Sequence, residues 1–284
     1  MKTGIIDIGG GLKGVYSAGL YDYFIDRNIK FDYYLGVSAG AANLASYMGW
    51  QRGRDANFYL DYAWRKPYMG LRDWIMDGNF FNLDYVYGTL SVAGGEDPLD
   101  VTAMKSTGKE FYAVSTDAMT GKPHYFNLSE ISPDNLRVFN ASSAIPVACR
   151  PQRVNDRFYF DGGCSDPIPW KKAIADGCDQ IIVVLNRPVN EVKSVQKHLR
   201  WLERKLRDYP NVFHDLVIRH KVYNAELMGL IELEKEGRAL RVGPDDLCGV
   251  STMKRDKAAF SRLYDKGYKD GRAVEDYLIK KGVI

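Results

Sequence analysis

A chain of 284 residues with 45% apolar and 26% charged residues has the make-up of a globular protein that buries a sizeable core. Thirty-nine basic against 36 acidic residues leave a formal charge of +3, too small to argue for a nucleic-acid partner, and no apolar run reaches the length of a membrane span. The amino terminus has no secretory apolar stretch, and Cys149, Cys164, Cys178 and Cys248 form no C-x-x-C pair. The expectation is a cytoplasmic protein with reduced thiols, no metal and no other cofactor.

Gly4–Ile8 reads as a buried strand that runs into a glycine-rich turn, and helical spacing follows from Val15 to Asp26. A second short strand, Tyr33–Leu35, ends in Gly36-Val37-Ser38-Ala39-Gly40 and then in the helix-like run Ala41–Tyr47. Residues 51–104 break the rhythm. They hold Trp64, Trp74, Phe80, Phe81, Tyr85 and Tyr87 without strand patterning, and are expected to form an insertion over the carboxyl edge of the sheet. Such aromatics can line an acyl channel or simply fill a core.

Phe111–Thr116 is a third strand, with His124–Phe126 returning beside it. Arg157–Phe160 and Gln180–Leu185 follow as further strands. Strands alternating with helices imply a three-layer α/β/α fold around a central, mainly parallel sheet. The division expected is a catalytic domain over 1–190 and a helical carboxyl-terminal extension over 191–284, broken at Pro210 and at Gly243-Pro244. Within the extension, Lys193–Arg207 reads as a helix with Val195, Leu199, Leu202 and Leu206 on one face and basic residues elsewhere. It suits a docked surface helix with a solvated basic side, or a helix lying on an anionic membrane.

A serine between glycines at a strand-to-helix turn is a nucleophile elbow. The turn leaves no room for side chains at Gly36 and Gly40, and it sets the Ser38 hydroxyl at a helix start, where the dipole favours negative charge. Gly9-Gly10-Gly11-Leu12-Lys13-Gly14 satisfies G-x-G-x-x-G. A dinucleotide site, however, needs an acid closing the second strand, and Asp32 lies at that strand's beginning. A plain tight turn is one alternative; an oxyanion hole built from the backbone N–H groups of Gly9, Gly10 and Gly11 is the other. His124, His198, His214 and His220 carry no motif. Asp161, followed by Gly162 and Gly163, is the better candidate base, although a D-G pair also makes an ordinary turn.

The glycine loop, the elbow and Asp161-Gly162-Gly163, in that order, resemble the patatin-like phospholipase family, and Ala141-Ser142-Ser143-Ala144-Ile145-Pro146 resembles its A-S-x-A-x-P segment. The resemblance spans about the first 190 residues. It implies a Ser38–Asp161 dyad without histidine, acyl-ester hydrolysis through an acyl-enzyme, and oxyanion donors at Gly10 and Gly11. Lys13 stands where the family more often has arginine. The implied substrate is a lipid acyl ester, of phospholipase or lysophospholipase type, with peripheral membrane contact as a further expectation and nothing indicated about oligomers. The competing readings are a Ser-His-Asp esterase and a non-catalytic lipid-binding protein on the same fold.

Overall fold

The computed structural model describes residues 1–252 and 255–284. Its strands are β1 (Thr3–Asp7), β2 (Tyr33–Val37), β3 (Glu110–Asp117), β4 (Pro123–Asn127), β5 (Gln152–Val154), β6 (Arg157–Asp161), β7 (Gln180–Val184) and β8 (Ala239–Val242). Its α-helices are α1 (Val15–Asp26), α2 (Ala39–Met48), α3 (Arg54–Leu60), α4 (Leu71–Asp77), α5 (Val101–Ser106), α6 (Arg137–Ser143), α7 (Trp170–Ala175), α8 (Leu199–Lys205), α9 (Pro210–Lys235) and α10 (Lys257–Lys280).

The strands form one sheet in the order β5-β6-β3-β2-β1-β7-β8, with β4 also paired to β3. The five strands from β3 to β8 in that order are parallel, whereas β4, β5 and β6 join antiparallel. The sheet is therefore mixed: its parallel part is the centre, and the antiparallel strands are gathered beyond β3. Every residue of β1, β2 and β7 is buried, as expected where helices cover both faces. On one face Ile5, Tyr34 and Ile182 pack with α1, α2 and α10; on the other Leu35, Ile181 and Val183 pack with Tyr223, Leu227 and Leu230 of α9.

The carboxyl-terminal residues are part of this architecture. Helix α9 covers one face, β8 extends the sheet beside β7, and α10 crosses to the opposite face. Helices α10 and α1 meet backbone to backbone: a Cβ on Gly267 would lie 1.9 Å from the Tyr16 carbonyl oxygen, and one on Gly19 would lie 2.0 Å from that of Tyr264. Strands β5 and β8 are absent from the sequence reading because each is short and lies at an edge, where apolar patterning is weak.

The expected helix over 193–207 shrinks to α8. Asn224 of α9 holds the Lys193 backbone at both its N–H (2.8 Å) and its carbonyl (3.0 Å), which fixes that stretch outside a helix. Leu202 and Leu206 are buried while Val195 is exposed, so α8 is docked on the fold. No helix among the described residues is long and apolar enough to cross a membrane.

Candidate active site

Ser38 sits between β2 and α2 with φ 57° and ψ −134°, a backbone conformation that costs a non-glycine residue about 1–3 kcal/mol. The surroundings enforce it. A Cβ on Gly36 would stand 2.2 Å from the Ala41 Cα, and one on Gly40 would stand 2.4 Å from the Asp7 carbonyl oxygen. The turn is clamped from outside as well. The Ser38 N–H donates to the Ser142 hydroxyl (2.9 Å), which in turn donates to the Val114 carbonyl on β3 (2.6 Å). The strained serine is thus the N-cap residue of α2, at the carboxyl end of β2.

Asp161 closes β6. Its backbone N–H donates to the Ala144 carbonyl (2.9 Å) and its carbonyl accepts from the Thr116 hydroxyl (2.9 Å). One carboxylate oxygen accepts from the Gly163 N–H at 2.8 Å, which caps a turn from Gly162 to Cys164. Gly162 lies hard against Val114, and the Gly163 carbonyl accepts from the Arg219 Nε of α9. Burial raises the Asp161 pKa above the ordinary carboxylate value. A hydrogen bond from Ser38, the Arg219 charge, the Gly163 N–H and the Lys193 charge act against it. The structure therefore brings Ser38 and Asp161 into the lining of one cavity, from two strand ends 123 positions apart in the chain.

The glycine loop lies over the start of α2. Gly9 is the departure from expectation: its N–H donates to the Asp7 carboxylate (2.8 Å), and a Cβ there would meet the Val37 carbonyl at 2.4 Å. It shapes the loop and has no N–H to offer an oxyanion. The Leu12 N–H goes to the Thr252 carbonyl (3.2 Å), whereas the N–H groups of Gly10 and Gly11 have no partner among the described residues. Gly14 caps α1 and accepts from Asn43 at 2.9 Å. Lys13 points into the cavity beside Ser38, where burial and then the Arg187 charge lower its pKa.

Two cavities meet at Ser38, Gly11 and Ile145. One is lined by Phe58, Tyr59, Tyr68, Phe81, Val86 and Tyr87, so Phe81 and Tyr87 of the 51–104 segment do line a space at the serine. Trp64 packs on Phe260 instead, and the Trp74 indole donates to the Val147 carbonyl at 2.8 Å. The other cavity is lined by Asp161 and by Lys13, Arg187, Lys193 and Arg219. None of the four histidines lines either space.

Comparison with known proteins supplies the family. A model described as patatin-like phospholipase matches residues 9–174, and one described as a domain of unknown function (DUF6363) matches 209–280. The chain belongs to the patatin-like phospholipase family. The protein YjjU of Escherichia coli (strain K12), described as uncharacterized, is 30% identical to this patatin-like protein over 242 residues. That match covers 81% of this chain and 65% of the relative's own length. Among solved structures, VipD from Legionella pneumophila aligns with a TM-score of 0.49 at 13% identity, covering 97% of this chain and 67% of VipD.

Several residues of the patatin-like site were not picked out from sequence. Ser142 lies inside the A-S-x-A-x-P segment, but its hydroxyl relay shows only in three dimensions. Asp7 is the acid that closes β1 just before the glycines. It accepts from Gly9, from the Tyr21 hydroxyl (2.8 Å) and from Asn186 (2.6 Å), and burial raises its pKa. Lys193 lies in a segment that reads as a helix with a solvated basic side, Arg187 and Arg219 carry no motif, and only the chain's course beyond β7 brings the three to the cavity at Ser38.

Proposed function

We propose that this patatin-like protein hydrolyses lipid acyl esters through a covalent acyl-enzyme, with Ser38 as nucleophile and Asp161 as its base. The observation that carries this reading is that the buried carboxylate Asp161 lines the same cavity as Ser38 at its strained elbow, with no histidine in either adjoining cavity. Asp161 takes the hydroxyl proton as the Ser38 oxygen attacks the ester carbonyl. Negative charge then gathers on the former carbonyl oxygen, where the Gly10 and Gly11 N–H groups and the α2 dipole meet it. The leaving alcohol takes the proton from Asp161, and water repeats the sequence to release the fatty acid. Burial helps because a carboxylate with a raised pKa is a stronger base for a serine proton.

The aromatic cavity suits the acyl chain and the cationic one the remainder of the molecule, with the ester at their junction. Contact with a lipid surface belongs to the same proposal. Helix α4 turns Leu71, Ile75 and Met76 outward at 65%, 75% and 71% exposure, and Trp74 ties that helix to Val147 near the site.

The test is fatty-acid release from lysophospholipid and phospholipid dispersions. Wild type turns over, while Ser38→Ala and Asp161→Asn each lose at least a thousandfold in kcat/KM. Full turnover by both variants refutes the dyad.

A further inference from the structure

The cavity on the Asp161 side of Ser38 has an unusual charge balance. Lys13, Arg187, Lys193 and Arg219 line it, and Asp161 is the one carboxylate among its lining residues. Among the described residues, Lys13, Lys193 and Arg219 make no ion pair. Arg187 has Glu191 at 3.2 Å, but its Nε is buried without a partner. Lys193 and Arg187 share a neutral neighbour: the Tyr223 ring centroid lies 4.3 Å from the Lys193 ammonium and 5.5 Å from the Arg187 guanidinium. Cations gathered in a half-buried space repel one another unless an anion compensates them. Two guanidinium forks and two ammonium groups converging on one space are the donor set for a tetrahedral oxyanion.

We propose that this cavity is a binding site for a phosphate-type anion, held by Lys193, Arg187 and Lys13 with Arg219 beside them. If Ser38 is the nucleophile, as read above, the anion lies next to the scissile ester. The preferred substrates are then acyl esters carrying an uncompensated phosphate rather than neutral ones.

The titration of Lys193 agrees with this geometry. Burial, then the Arg219 and Arg187 charges, lower its pKa to about 6; the Asp161 and Cys164 side chains also face it and act in the opposite direction. At pH 7.5 the empty site holds a largely neutral lysine, and an arriving anion restores its proton. Binding therefore takes up protons.

Calorimetry with inorganic phosphate and with glycerol 3-phosphate, against glycerol as control, tests the site without turnover. Both phosphates bind wild type and glycerol does not. Lys193→Gln and Arg187→Gln each weaken binding at least tenfold, and two variants guard against one failing to fold. In two buffers of different ionisation enthalpy at pH 7.5, wild type shows proton uptake that Lys193→Gln lacks.

Kinetics separate the possible sources of the anion. A kcat/KM for lysophosphatidic acid at least tenfold above that for monoacylglycerol of the same chain identifies a lipid headgroup. Phosphate binding with no such preference identifies a free phosphate. Absence of phosphate binding to wild type, or binding unchanged in both variants, overturns the proposal. Fluorophosphonate labelling of wild-type Ser38 is read separately. Labelling without phosphate binding removes the anion site alone, whereas phosphate binding without labelling removes the hydrolase reading alone.

Discussion

Ser38 is held to Ser142 by a hydrogen bond from its own backbone N–H, and Ser142 passes that bond on to the carbonyl of Val114 on β3. One hydroxyl therefore ties the elbow to the strand against which β6, and with it Asp161, is paired. Ser142→Ala leaves a buried N–H and a buried carbonyl unpaired, at about 1–3 kcal/mol each. The expected result is a melting temperature lower by roughly 5–15 °C, together with slower fluorophosphonate labelling of Ser38. Unchanged melting and labelling would show that the relay carries no strain.

Gly36→Ala tests the elbow from the other side. The new methyl meets backbone atoms of Ala41, which cannot rotate away. The expected cost is on the order of 3 kcal/mol or more, read as loss of soluble protein or a collapse of the denaturant midpoint. A variant of wild-type stability would mean that the turn is wider than described.

As the proposed base, Asp161 must be ionised to accept a proton, so the proposal predicts that activity falls as pH drops through its pKa. That pKa is raised by burial and held down by Ser38 and by Arg219. The acid limb of kcat/KM is expected above the ordinary carboxylate range. Arg219→Gln removes a cation that favours the charged form, and the limb should move to higher pH. A limb that stays in place on Arg219→Gln would separate α9 from the base.

Lys193 gives an independent signal in stability. Its folded pKa, about 6, lies below the ordinary 10.5. Between those values the unfolded chain binds a proton that the native protein does not, so stability rises with pH across that window. Lys193→Met should raise the melting temperature at pH 6.5, with the gain shrinking toward pH 10. Phosphate should stabilise wild type more than this variant. Equal shifts at both pH values would contradict the depressed pKa.

Leu71, Ile75 and Met76 on α4 predict a split between dispersed and aggregated substrates. Ile75→Ser with Met76→Ser should lower turnover on vesicles several-fold and leave turnover of a water-soluble short-chain ester unchanged. Parallel losses on both would place the helix within the site instead of at the lipid surface.

The site was legible in sequence where chemistry and backbone geometry coincide within a few residues. Gly36, Ser38 and Gly40 announce a turn that only glycines permit, and α1 begins at Val15 as its spacing indicates. Asp161 needed the family resemblance, because a D-G pair by itself is also an ordinary turn. What sequence could not show is what depends on distant returns of the chain. Lys193, read as part of a helix, is held instead by Asn224, 31 positions away, and lines the cavity that Ser38 also lines. Gly9 reads like its neighbours Gly10 and Gly11, and only the Asp7 carboxylate reveals that its N–H is already committed. Strand β8 carries too few residues for periodicity to register, yet it completes the sheet.

The most direct measurement is mass mapping of a fluorophosphonate adduct on wild type, Asp161→Asn and the four single histidine-to-alanine variants. The account predicts one adduct, on Ser38, formed at wild-type rate in every histidine variant and at least a hundredfold more slowly in Asp161→Asn. An adduct on another residue, or one that any of His124→Ala, His198→Ala, His214→Ala or His220→Ala abolishes, would contradict it.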